Sequence, residues 1–223
     1  MKYNNVYIGE FTERPNRFIA YVKINEKIEI CHVKNTGRCR ELLMPGVKVI
    51  VAKDDNPKRK TKYDLIAVYK GSHLINIDSQ APNKIFFEYL KNQREIRFIK
   101  PEAKYKNSRF DFYIETDKKK IFIETKGVTL EENDIFMFPD APTERGVKHL
   151  NELCDCVKEG YEACVVFIIQ ADYGTLFTPN SKTHKEFSDA LKKAEKCGVK
   201  IYCFNCIVGE DEIELNVKIP YEL

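Results

Sequence analysis

The sequence predicts an α+β protein of two domains, a small β-barrel followed by a mixed α/β sheet. Five short apolar runs separated by turn residues occur before residue 80, as a small barrel requires. Beyond Ser79-Gln80-Ala81-Pro82, strand-like and helix-like periods alternate, the order that builds a sheet with helices on its faces. The 223 residues are 43% hydrophobic and 32% charged, which suits a globular chain long enough for two cores. The division falls at 1–82 and 83–223.

In the first domain the strands expected are 18–24, 28–33, 47–52, 63–69 and 73–77, with Asn25-Glu26 and Gly71-Ser72 as compact turns. Arg38 to Met44 reads as a helical turn or two, stopped by Pro45-Gly46. In the second domain Asn83 looks like the cap of a helix over 84–91. A strand over 95–99 is broken by Pro101, and 102–105 is a short extended piece beside it. Glu131 to Asp134 reads as a loop. Thr143 or Asp140 caps a helix to about Lys158, with Gly160 just past its end. Ala163 to Ile169 lacks alternation, as a strand covered on both faces should. A loop over 172–181, a helix over 185–197 ended by Gly198 and a strand over 199–204 follow.

Composition excludes several classes. The longest apolar run, Ala163 to Ile169, is far too short to span a bilayer, and Met1-Lys2-Tyr3-Asn4-Asn5 lacks the apolar core of a secretion signal. A cytoplasmic protein without membrane contact is expected. Its eight cysteines are then reduced thiols. Cys203-x-x-Cys206 has zinc-like spacing, but Cys154 and Cys156, two apart on a helix, point to different faces. Zinc is not favoured. The net charge of +3 is too small for a dedicated nucleic-acid binder, so any such contact must come from local clusters.

The chemistry concentrates in one hairpin. Phe110, Phe112 and Ile114 alternate with Arg109, Asp111 and Tyr113, and Ile121 and Ile123 alternate with Phe122 and Glu124, the period of strands. A turn at 116–119 sets Asp111 opposite Glu124, with Lys126 on the same face. Two carboxylates about 4 Å apart repel by roughly 4 kcal/mol at an effective dielectric near 20. A divalent cation would compensate them, and Mg²⁺ or Mn²⁺ accepts such oxygen donors. An ordinary solvated charged strand would look similar, yet these charges end a strongly apolar strand. Metal-dependent phosphodiester hydrolysis is the chemistry expected, with Lys126 orienting the nucleophile.

The motifs also carry a resemblance. Ser108-Arg109-x-Asp111, Glu124-x-Lys126 and Phe138-Pro139-Asp140-Ala141-x-Thr143-Glu144-Arg145-Gly146-x-Lys148-His149-Leu150, with Arg17-Phe18-x-Ala20 and His32-Val33-x-Asn35-Thr36-Gly37-Arg38 upstream, resemble the sugar fermentation stimulation protein A family. The resemblance spans nearly the whole chain. It implies an N-terminal OB-like barrel and a C-terminal mixed α/β domain of the restriction-nuclease-like PD-(D/E)xK superfamily, in a DNA-binding protein. Asp111, Glu124 and Lys126 match that superfamily's acid, acid and lysine, and Glu102 an upstream acid that can assist with metal.

Arg17, Arg38, Lys58, Arg59 and Lys60 on the barrel, and Arg109, Arg145 and Lys148 near the hairpin, are the groups expected to hold phosphates. Arg145 and Lys148 lie in the first turns of a helix whose N-terminus favours anions. Pairing with neighbouring acids is the plainer role for each, and His32 reads as structural. A non-catalytic DNA-binding regulator of sugar-metabolism genes is the alternative function. DNA, single- or double-stranded, is the expected partner, with RNA a further candidate, and cutting both strands of a duplex often calls for a homodimer.

Overall fold

The first strand is one that apolar periodicity does not reveal. In a computed structural model, which describes residues 1–35 and 37–223, β1 (Val6–Asn16) turns only Gly9 and Phe11 inward, because charges, Pro15 and two register shifts interrupt its alternation. Gly9 is needed there: a Cβ would press on Val22 and the Lys23 carbonyl. Five further strands, β2 (Ile19–Ile24), β3 (Lys27–Val33), β4 (Lys48–Lys53), β5 (Tyr63–Lys70) and β6 (His73–Asn76), follow in the expected places. Their order is β3-β2-β1-β4-β5-β6, and a parallel β3–β5 pairing closes the first five into a barrel. The alternate residues Ala20, Val22, Cys31, Val33, Val49, Val51 and Leu65 fill it. Residues 38–44 are not helical. Cys39 has φ +45°, and a single turn forms, in which the Leu42 and Leu43 amides both donate to the Cys39 carbonyl, at 3.2 and 2.9 Å. Thr36 of the upstream motif lies outside the described residues.

The second domain runs α1 (Ala81–Lys91), β7 (Ile96–Tyr105), β8 (Ser108–Thr116), β9 (Lys120–Val128), β10 (Leu130–Glu132), β11 (Ile135–Phe138), α2 (Glu144–Lys158), β12 (Glu162–Ile169), β13 (Leu176–Pro179), α3 (Lys185–Lys196), β14 (Lys200–Val208) and β15 (Ile213–Lys218). The main sheet is ordered β15-β14-β12-β9-β8-β7. Its centre, β9, β12 and β14, is parallel and its flanks are antiparallel. β12, paired on both sides and covered on both faces, is buried along nearly its whole length, which is why it shows no alternation. Of the segments expected as loops, 131–134 holds the end of β10 and then a turn at Asn133-Asp134, and 172–181 contains β13; β10, β11 and β13 form a three-stranded sheet. No helix is long and apolar enough to cross a membrane among the described residues.

Two local expectations need correction. α1 begins at Ala81, with Gln80 in the cap position and Pro82 in the first turn, so Asn83 is inside the helix and its side chain is free for another role. Pro101 does not end a strand: β7 continues through it at the edge of the sheet, where proline is tolerated. Instead the strand bends at Glu102, where φ is +52°. Ile96 and Ile99 before the bend pack on the α1 face, and Ala103 and Tyr105 after it join the core beneath α2 and α3. β8 crosses over with it: Phe112 and Ile114 face α1, but Phe110 lies in the other core. Asp111 sits at the crossing.

Candidate active site at the β8–β9 hairpin

The hairpin has the expected register. Phe112 faces Ile123, Tyr113 faces Phe122 and Ile114 faces Ile121. The next pair would be Asp111 and Glu124, but the ladder stops one step short. Asp111 Oδ2 accepts the Thr125 N–H at 2.8 Å, so a carboxylate stands where a backbone carbonyl would otherwise bond. The Thr125 hydroxyl lies 2.8 Å from the same oxygen and also within bonding distance of Asn83 Oδ1. Asn83 Nδ2 donates to Asp111 Oδ1 at 2.8 Å. α1 therefore clamps the first acid.

The second acid is held from the opposite helix layer. Glu124 Oε1 accepts from Lys126 Nζ and from His149 Nδ1, each at 2.5 Å. Thr143 caps α2 by accepting the Gly146 amide at 3.1 Å, and the inward stripe Gly146, His149, Leu150 and Leu153 then carries the imidazole down to the sheet. Arg145 Nε donates to His149 Nε2 at 3.4 Å, which leaves the imidazole proton on Nδ1, where it points at Glu124. The Glu124 and His149 side chains are only 5% and 4% exposed.

Glu124 Oε2 is buried and has no hydrogen-bond partner. A carboxylate oxygen so placed forfeits water without replacement, a cost that calls for a ligand. The two acids also titrate apart. Burial, then the nearby Glu124 charge, pushes Asp111 above the usual carboxylate range despite the bonds from Thr125. Burial pushes Glu124 up as well, but the hydrogen bond from His149 and the charge of Lys126 more than offset it and hold the group below that range. Negative charge at this point is undercompensated at Asp111 and under-coordinated at Glu124. Hard oxygen donors in that condition suit a divalent cation.

Asp111 lies near enough to Glu124 to feel its charge, and Lys126 contacts Glu124. Glu102 does not join them: it is exposed on the bend of β7 and lies 3.5 Å from Arg109, and among the described residues no three His, Cys, Asp or Glu side chains group as metal ligands. Arg145 is exposed at the first turn of α2, and Lys148 lies 3.8 Å from Glu152. On the barrel, Arg17 and Arg38 are exposed and line a groove of about 460 Å³ with Arg40. The Arg17 guanidinium sits 4.8 Å from the Phe18 ring centre, the pairing of cation and aromatic that single strands exploit. Lys58 and Lys60 are solvated. Arg59 is not an open phosphate ligand, because it is held between Asp54 and Asp64. His32 lies 3.3 Å from Asp64, as a structural residue would. All eight cysteines are free thiols.

Asn83, Thr125 and His149 are the members that strand pairing does not supply. Only His149 left a trace in the sequence, a polar residue on the inward stripe of an amphipathic helix.

Comparison with known proteins agrees with this architecture. A family model described as the SfsA N-terminal OB domain matches residues 12–77, and one described as the sugar fermentation stimulation protein RE domain matches 80–212. A sugar fermentation stimulation protein homolog of Clostridium beijerinckii is 61% identical over 218 residues, 96% of each chain. That of Ruminiclostridium cellulolyticum is 58% identical over 226 residues, the full length of both. The structure of Pyrococcus furiosus SfsA in complex with Ca²⁺ superposes with a TM-score of 0.90 at 31% identity, covering 100% of this chain and 98% of that one.

Proposed function

This chain belongs to the sugar fermentation stimulation protein family, and from the carboxylate pair at its hairpin we propose that it is a divalent-cation-dependent phosphodiesterase acting on nucleic acid. The observation that carries this reading is Glu124 Oε2, buried, unpartnered and beside a second acid disfavoured as an anion. Asp111 and Glu124 would hold the cation, Mg²⁺ or Mn²⁺ in turnover. The Pyrococcus furiosus relative is described as a Ca²⁺ complex, an ion of the same oxygen-seeking class. A cation bound there supplies the positive charge that polarises a phosphodiester.

The chain's own groups do the rest. His149 keeps Glu124 Oε1 occupied and its plane fixed, so that Oε2 stays presented. Lys126, 16% exposed on the side of the same carboxylate, has an ammonium that can turn to neutralise charge developing on the phosphodiester oxygens or hold the attacking water. Arg145 and Lys148, exposed at the start of α2, extend that positive field toward substrate phosphates. The barrel groove of Arg17, Arg38 and Arg40 tracks the backbone of the nucleic acid.

The test is incubation of purified protein with single-stranded, duplex and branched DNA, and with RNA, in Mg²⁺ or Mn²⁺. Cleavage that Asp111→Ala abolishes supports the enzyme and ranks its substrates. Salt-sensitive binding with no cleavage of any substrate would reassign the chain to a DNA-binding regulator.

A further inference from the structure

The main sheet is covered unequally. α2 and α3, of 15 and 12 residues, lie on one face, whereas the other carries α1 alone, of 11 residues. At 1.5 Å per residue that helix is roughly 16 Å long, against roughly 24 Å between the outermost of six strands. What it leaves uncovered is a cavity of about 560 Å³, within the size range of small-molecule sites. Its walls are Tyr89, Ile114, Ile121 and Tyr202, over a floor of Val166 and Phe204.

Charge is concentrated at one end. Because β9, β12 and β14 are parallel and in register, their first residues gather there. Glu162 is shared by two ammonium groups, Lys119 at 2.5 Å and Lys200 at 2.8 Å. Asp117 is held by Arg97, 2.9 Å away. Lys218 lies 4.6 Å from the Tyr202 ring centre, and neither it nor Lys118 has a carboxylate within 4.0 Å among the described residues. Glu95 is the one lining acid left over. The mouth of an apolar cavity is therefore net positive.

We propose that this cavity binds a small amphipathic carboxylate, its apolar body laid along the sheet between Tyr89 and Tyr202 and its anionic end among Lys118, Lys200 and Lys218. None of Asp111, Glu124 and Lys126 lines the cavity, so occupancy does not require the carboxylate pair. A second copy of the chain is a poorer occupant. It would bury Lys118 and Lys218 of both copies against a face on which Glu95 is the one lining acid left over.

The experiment is calorimetric titration of the full chain with dodecanoate below its micelle concentration, and with dodecylammonium as the probe of equal chain and opposite charge. Saturable one-to-one binding of dodecanoate is expected, at least about tenfold tighter than dodecylammonium. The exposed-residue variant Lys200→Gln/Lys218→Gln should weaken it by about tenfold or more, since it removes two of the three ammonium groups assigned to the anionic end. Ile121→Trp, which fills the cavity, should block it in a protein whose melting temperature shows it folded. Absence of saturable binding, equal affinity for the two probes, or indifference to the lysine variant overturns the proposal. So does a dimer in sedimentation that Ile121→Trp dissociates, which would make the face a self-interface.

Discussion

His149→Phe should destabilise the protein chiefly by stranding Glu124. In the folded chain both donors to this carboxylate meet at Oε1, and the other oxygen already has none. Phenylalanine fills the imidazole's place beside Phe110, whose ring centre is 5.8 Å from that of His149, but cannot donate. Removing one partner of a buried charge-assisted hydrogen bond costs roughly 1.5–3 kcal/mol, and more where the remaining charge is poorly compensated. For a chain of this length that corresponds to a melting temperature lower by roughly 4–10 °C. Urea unfolding of the wild type, His149→Phe, Glu124→Gln and the double variant closes a cycle, with an expected coupling of roughly 2 kcal/mol.

The pH dependence carries a sign. Glu124 titrates below its ordinary range when folded, so its contribution is complete above an unfolded pKa of about 4.3 and is lost as pH falls through the lower folded value. His149→Phe removes the first of the influences that oppose burial, so that acid-side loss should shrink or reverse. A cycle that is additive within about 0.5 kcal/mol, or an acid limb unchanged by the variant, would refute the idea that His149 stabilises the Glu124 anion.

Three further outcomes follow from the same geometry. Lys126→Ala should lower cleavage by roughly 10²–10³-fold while leaving Mn²⁺ affinity equal or stronger, because it removes a competing positive charge from Glu124; calorimetry beside single-turnover rates separates the two effects. Changing Arg17, Arg38 and Arg40 together to alanine should reduce the salt dependence of nucleic-acid binding by roughly one unit of log–log slope for each phosphate left unneutralised, read from fluorescence anisotropy across a salt series. Arg59→Ala should leave that slope unchanged and instead cost roughly 1–3 kcal/mol in urea unfolding, since its guanidinium is committed to Asp54 and Asp64.

Most of the architecture is periodic, and periodicity is local, so strands β2 to β6, the capped helix α2 and the doubly covered β12 are legible from residue order. The register of the β8–β9 hairpin up to Phe112 and Ile123 is legible too, because a hairpin's register follows from its turn. β1 hides because only Gly9 and Phe11 face the core, and the bend at Glu102 hides because a positive φ in an acidic residue leaves no apolar signature. That bend carries Phe110 and Phe112 into different cores against strict alternation.

The sequence by itself determined a barrel followed by a mixed sheet, and two acids and a lysine meeting on one hairpin. Only the tertiary structure decided which other groups reach them. Asn83 arrives from α1 and His149 from α2, across sequence separations of 28 residues to Asp111 and 25 to Glu124. It also decided that Arg59 is closed off and that one oxygen of Glu124 is left open. Such facts depend on how helices pack over a sheet, and the desolvation and unmet hydrogen bonds that make an acid receptive to a cation arise only once that packing has excluded water.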